Sequence, residues 1–164
     1  MSPIDTLLAE FDQEMAITRS LLERTPAQDA GWRPHPKSKP LGDLAVHVAT
    51  IPWWATATLT TPEFDLATAA APQSFSTVAA LLAYFDRNVA DARQALSNAV
   101  EADLTVPWTL RSGSTVFWTL PRGGVLRSLA FSHLIHHRAQ LGVYLRLRDV
   151  PLPPSYGPTA DSAN

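Results

Sequence analysis

Three histidines have the residue type and the spacing of a metal site. His133 and His137 are four residues apart, a spacing that places two side chains on the same face of a helix. His47 belongs to a separate segment, where it lies in an apolar stripe. Three neutral imidazoles on two facing helices can bind Zn²⁺, Ni²⁺ or Fe²⁺ and leave positions open for water or a substrate. The pattern therefore predicts one divalent metal ion at these three residues.

Each of these histidines also has a purely structural interpretation. A single histidine on an apolar face, such as His47, is more often a core residue bonded to a carbonyl group or to water. His-x-x-x-His pairs also arise by chance on helices, and His133 with His136 forms a second chelating pair at i, i+3. Position 136 lies about 100° around the helix from position 137. We therefore expect His136 to be a surface residue or to support the metal ligands from outside.

Four further residues are candidates for supporting roles. Trp54 follows His47 by seven residues and could line an apolar pocket, although core packing explains it equally well. Gln140 and Arg138 could orient a ligand or a metal-bound histidine, but an exposed, solvated arginine is the commoner outcome. Asp43 precedes His47 by one turn, where it is either a hydrogen-bond acceptor for the site or a charge that favours the helix N-terminus.

Several catalytic motifs are absent from the sequence. The zincin motif needs a glutamate after its first histidine, and residue 134 is leucine. Ferritin-like di-iron bundles need Glu-x-x-His pairs, and residue 130 is alanine. There is no G-x-S-x-G motif, phosphate-binding loop or dinucleotide fingerprint. The chain has no cysteine, which excludes disulfides, thiolate ligands and a cysteine nucleophile.

Four amphipathic segments are predicted to position the histidines. Apolar residues follow the helical period over residues 3–24, 40–57, 75–101 and 125–148. Pro52 should bend the second helix because it removes one backbone hydrogen bond. The inward stripe of the last helix is predicted to contain Leu126, Leu129, Ala130, His133, His137, Leu141 and Tyr144. Four such helices around one core predict an all-α four-helix bundle that forms a single domain over residues 1–164.

The segments between the helices are predicted to be irregular. Residues 25–39 are predicted to form a loop that Trp32 anchors to the core, and residues 60–74 have no pattern of their own. The helical period is lost between residues 103 and 124, where Arg111-Ser112-Gly113-Ser114 is compatible with a short hairpin. The proline-rich C-terminal tail after residue 150 should not be helical.

Composition restricts the partners and the compartment. The net charge is −2, and the lysines and arginines are scattered, whereas nucleic-acid binding normally requires a basic patch. No run of eighteen apolar residues is present, so no membrane span is expected. Because no export signal is visible either, a cytoplasmic protein with a small-molecule substrate is the default expectation.

The last helix resembles that of the DinB family, also described as DinB/YfiT-like metalloenzymes. Residues 127–147 read RSLAFSHLIHHRAQLGVYLRL, which is similar to the family pattern H-x-x-H-H-R-x-Q-L-x-x-Y-L-R. Residues 33–49, which include His47, and residues 150–161 agree with the family in the same order. Ala139 departs from the pattern because many members carry glycine there, which should change local packing little.

This resemblance implies a four-helix bundle, a metal site at positions matching His47, His133 and His137, and frequent homodimers. Relatives include stress-associated proteins and thiol-dependent enzymes such as mycothiol-dependent maleylpyruvate isomerase and bacillithiol transferases. The leading hypothesis is a metal-dependent transferase that uses a low-molecular-weight thiol. The alternatives are a metal-dependent hydrolase and a non-catalytic stress protein that binds a metal or a small ligand.

Overall fold

A computed structural model describes residues 2–162, and most of its regular structure is helical. The helices are α1 (Pro3–Leu22), α2 (Leu41–Thr50), α3 (Trp53–Thr60), α4 (Val78–Asn98), α5 (Arg122–Val125) and α6 (His133–Arg146). A π-helical segment, Leu126–Ser132, joins α5 to α6. Short 3-10 turns lie at Ala27–Asp29, Leu66–Thr68 and Glu101–Thr105. None of the described helices is both long and apolar enough to cross a lipid bilayer.

The four predicted helical segments are confirmed, with ends within three residues of the predicted ones. Ser2 caps α1: its hydroxyl accepts a hydrogen bond from the Asp5 backbone, and the Asp5 carboxylate accepts one from the Ser2 backbone. The second segment is interrupted between α2 and α3 at Ile51–Pro52, where proline supplies no N–H for a helical bond. The predicted bend therefore lies where the sequence places it.

The core consists of apolar side chains from all four helical segments, packed together. Phe11 of α1 and Phe131 of the π-helical segment meet edge to face at 6.2 Å, and Phe85 of α4 is also fully buried. Trp32 packs on the margin of this core with its ring 5.8 Å from that of Tyr144. The predicted anchoring of the loop after α1 is thus confirmed.

A small sheet corrects the all-α prediction. Strands β1 (Glu63–Asp65), β2 (Pro107–Ser112) and β3 (Thr115–Pro121) lie in the order β1-β2-β3, parallel in the first pair and antiparallel in the second. The hairpin of β2 and β3 turns at Gly113, whose φ of 55° suits glycine. The prediction missed β1 because three residues are too few to show an alternating pattern. Arg111 of β2 holds β1 in place through ion pairs to Glu63 and Asp65.

The buried face of the last helix is displaced by one residue from the predicted stripe. In the π-helical segment, the His133 N–H bonds to the Ser128 carbonyl five residues earlier, whereas an α-helical bond spans four. The extra residue shifts most later core-facing positions by one: Leu134, Arg138 and Leu145 are buried where His133, His137 and Tyr144 were predicted, whereas Leu141 is buried as predicted. His133 and His137 consequently lie half-buried at the margin of the core. The buried residues of this segment and of α6 are Leu126, Ala130, Phe131, Leu134, Arg138, Leu141 and Leu145.

Candidate metal centre

The three predicted ligand residues converge in the structure. His47 comes from α2, while His133 and His137 lie one turn apart on α6. Each offers a ring nitrogen, and these nitrogens all lie within 4.8 Å of one another. The Nε2 atoms of His47 and His133 are 3.1 Å apart. His136 is exposed and stays outside the cluster, as expected.

The cluster has the dimensions and the chemistry of a site for one divalent ion. Two nitrogens bound to the same ion at about 2.1 Å lie roughly 3.0 to 3.4 Å apart. The separation of 3.1 Å between His47 and His133 falls in this range. Three imidazoles suit zinc, nickel or iron better than magnesium or calcium, which prefer oxygen ligands. The residues present therefore fit the predicted ion.

Burial keeps the three imidazoles neutral, which is the form that binds metal. Burial lowers the pKa of His47 to about 4, and the positive charges of His137, His133 and Lys39 contribute to this shift. Burial is also the main cause of the lowered pKa of His133 and of His137. Lone pairs are thus available on all three rings near neutral pH.

Gln140 orients the ring of His137. Its side-chain oxygen lies 2.7 Å from Nδ1 of His137. A carbonyl oxygen only accepts hydrogen bonds, so Nδ1 carries the proton and donates it. Nε2 of His137 then keeps the lone pair that a metal ligand needs. This contact is the supporting role that the sequence suggested for Gln140.

The π-helical segment leaves a backbone carbonyl near the imidazole of His133. Because the His133 N–H bonds to Ser128, it does not occupy the carbonyl of Leu129, four residues earlier. That carbonyl acts on the imidazole and raises its pKa, which offsets part of the larger lowering by burial. The Nδ1 atom of His133 is buried and has no hydrogen-bond partner of standard geometry within residues 2–162, so the Leu129 carbonyl is the acceptor nearest to hand. We infer that Nδ1 is the protonated nitrogen and Nε2 the free one.

A cavity of about 650 Å³ opens beside His47. Its aromatic wall contains Trp53 and Trp54 of α3 and Phe64 of β1, whose rings pack edge to face with centroids 5.1 to 5.2 Å apart. Trp54 also meets buried Trp108 of β2 at 6.4 Å, so it both lines the cavity and packs in the core. The volume and the mixed lining are typical of a small-molecule site.

Arg138 is buried, which corrects the expectation of an exposed arginine. Only 4% of its side chain is accessible, and it lies 2.6 Å from the Glu14 carboxylate. Tyr156 of the C-terminal tail accepts a hydrogen bond from Arg138 at 2.6 Å and donates to Glu14 at 2.8 Å. The sequence interpretation overlooked Glu14. Its position, three residues after Phe11 and four before Thr18 on the apolar face of α1, is the signal that could have revealed it.

Asp43 does not support the histidines. It is exposed, lines the cavity and forms no hydrogen bond to His47, His133 or His137 among the described residues. It lies in the first turn of α2, where a negative charge is favourable. The structure therefore agrees with the second interpretation of this residue.

The lowered pKa values predict how metal affinity depends on pH. Protons compete with a metal for the same lone pairs, and free imidazole begins to lose this competition near pH 6.5. Because burial lowers the pKa of His47 to about 4 and also lowers the pKa of His133 and of His137, affinity should be kept to a lower pH than free imidazole would allow. Isothermal titration of Zn²⁺ at several pH values tests this. A decline already centred near pH 6.5 would contradict it.

The chain is similar to known proteins in both sequence and fold. A family model described as the DinB superfamily matches residues 10–141. Similar solved structures include a DinB-like protein from Bacillus cereus, with 22% identity, a TM-score of 0.73 and coverage of 93% of this chain and 97% of that one. A DinB-like protein from Bacillus subtilis has 18% identity, a TM-score of 0.71 and coverage of 92% and 97%. No curated protein matches the sequence.

Proposed function

Because the chain belongs to the DinB superfamily, we propose that it is a metal-dependent transferase that uses a low-molecular-weight thiol as cosubstrate. The observation that carries the proposal is the convergence of His47, His133 and His137 beside an open cavity. A divalent cation held there supplies positive charge that favours the deprotonated form of a bound thiol near neutral pH.

Each group of residues at the site has a distinct role in the proposed reaction. The three histidines hold the ion, and Gln140 fixes the tautomer of His137 through Nδ1. The aromatic wall gives the second substrate an apolar surface beside His47 and excludes water from it. Since the chain contains no cysteine, the thiol has to come from a cosubstrate.

The arrangement of carboxylates favours a transferase over a hydrolase. Hydrolysis benefits from a carboxylate base close to the attacking water. Glu14 is held by Arg138 and Tyr156, and Asp43 on the cavity wall is exposed to solvent. Neither carboxylate forms a hydrogen bond to a histidine of the cluster among the described residues, so neither is held against the cluster as a base.

A turnover assay tests the proposal. Zinc-, nickel- and iron-loaded protein is incubated with glutathione, bacillithiol or mycothiol and with a panel of small electrophiles, and loss of free thiol is followed. We expect thiol consumption above the uncatalysed rate with at least one pair, and we expect His47→Ala to lose it because one metal ligand is missing.

The other outcomes decide between the alternatives. Metal-dependent cleavage of ester or amide substrates without any thiol would replace the transferase by a hydrolase. Tight metal binding without turnover across the panel would favour a non-catalytic binding protein. Activity that survives both a chelator and His47→Ala would contradict a role for the histidine cluster.

A further inference from the structure

Lys39 places a positive charge at the edge of the cavity. It directly precedes Pro40, the N-cap of α2, and lines the same cavity as His47. The nine ion pairs within residues 2–162 all use arginine. The ammonium group of Lys39 is therefore available to a ligand in the cavity.

The remaining charges leave the loaded cavity positive. Asp43 is the one acidic residue in the described lining, and it offsets Lys39. The histidine ligands are neutral, so a divalent ion held by them is not compensated by the protein. Positive potential in a cavity with apolar walls attracts anions and repels cations. An anionic group on the ligand is thus favoured over a neutral or positive one.

Another part of the cavity lining is apolar and aromatic. Trp53, Trp54 and Phe64 are each only partly buried, and they line the cavity together with Tyr84. Aromatic surfaces of this kind bind flat rings by stacking and edge contacts. The Tyr84 hydroxyl is already 3.3 Å from the Thr50 hydroxyl, which leaves the tyrosine ring as the surface offered to a ligand.

From this juxtaposition we propose that the cavity selects a flat, apolar molecule bearing a carboxylate, with Lys39 binding the carboxylate and the aromatic wall binding the ring. This inference rests on the proposed function, since it identifies the class of the second substrate. Lys39 acts as a specificity residue here. It makes no contribution to holding the ion.

Calorimetric titration of zinc-loaded full-length protein tests the inference with three probes. These are 2-naphthoate, its neutral analogue 2-naphthamide, and acetate, which has the charge without the ring. We expect 2-naphthoate to bind about tenfold more tightly than 2-naphthamide and about a hundredfold more tightly than acetate. In Lys39→Gln the preference for 2-naphthoate over 2-naphthamide should fall to about twofold. Lys37→Gln, an exposed lysine of the same loop, is the matched control and should keep it.

Each departure from this result overturns the inference. Equal affinities in Lys39→Gln and the wild type would show that the ion alone holds the carboxylate. If acetate bound as tightly as 2-naphthoate, the aromatic wall would not contribute to ligand affinity. If the protein holds no zinc, the proposed function fails, and the comparison of Lys39→Gln with Lys37→Gln in zinc-free protein still decides whether the lysine selects the carboxylate.

Discussion

Replacing His47, His133 or His137 by alanine is expected to remove stable metal binding. Two imidazoles hold a divalent ion poorly, and the ring nitrogens of these residues lie within 4.8 Å of one another. Loss of an outer hydrogen-bond partner alone costs about 10–100-fold in affinity, so loss of a ligand should cost more than 100-fold. Competition against a chelator of known affinity, with tag-free protein, measures the effect for Zn²⁺, Ni²⁺ and Fe²⁺.

Two further substitutions, both on α6, give a scale for this loss of metal affinity. Gln140→Ala removes only the acceptor 2.7 Å from Nδ1 of His137 and should weaken affinity by about 10–100-fold. His136→Ala should change it little, because His136 is exposed and lies outside the cluster. Equal losses from His136→Ala and His137→Ala would leave a metal site standing with a different third ligand. A protein that binds none of these metals would end the proposal.

The second large effect is expected from the buried ion pair between α1 and α6. Glu14 and Arg138 expose only 6% and 4% of their side chains. Glu14→Ala would leave the guanidinium of Arg138 buried with no compensating charge. Breaking a pair of this kind typically costs about 3–5 kcal/mol. Urea unfolding followed by far-UV circular dichroism should show this loss in the free energy of unfolding.

A second ion pair on α1 provides the matched control. Asp12 pairs with Arg93 of α4 at 2.8 Å, and both side chains are about half exposed. Asp12→Ala should therefore cost only about 0–1 kcal/mol. A double replacement, Glu14→Leu with Arg138→Leu, should recover part of the loss because no unpaired charge is left buried. Equal effects of Glu14→Ala and Asp12→Ala would contradict this account.

The histidine cluster and the helices could be predicted because their signals are local. His133 and His137 are separated by one helical turn, and that relation holds whatever surrounds α6. The missing N–H of Pro52 and the helical period of the apolar residues likewise act within a few positions. Each of these features was recognised, and each lies close to its predicted place.

The sheet and the aromatic wall depend on contacts between distant parts of the chain. Arg111 pairs with Glu63 and Asp65, which precede it by 48 and 46 residues. Phe64 reaches the cavity only because β1 pairs with β2. A charged three-residue strand carries no period of its own, and its partner cannot be identified from one sequence. The side chains that would select a substrate were therefore the least predictable part of the site.

Arg138 shows a different limit of prediction from sequence: the face of the helix on which a residue lies can be misassigned although the helix itself is predicted. The 3.6-residue period was extended without a break from residue 125 to residue 148, so His133, His137 and Tyr144 were assigned to the core in place of Leu134, Arg138 and Leu145. His133, His137 and Gln140 still lie together, because their mutual spacing lies wholly within α6. Only their relation to the core was misjudged.

The π-helical segment also bears on how such a site arises in evolution. One additional residue in an uninterrupted α-helix is accommodated by a turn of i→i+5 bonds, and such turns occur often at functional sites. In this chain that turn sets Leu134 and Arg138 against the core and leaves His133 and His137 half-buried, next to His47, which lines the cavity. Loss of a single codon between Leu126 and Ser132 would reverse the arrangement, burying the histidines and exposing the arginine. The exposure of the candidate metal ligands His133 and His137 thus depends on the length of this helix by one amino acid.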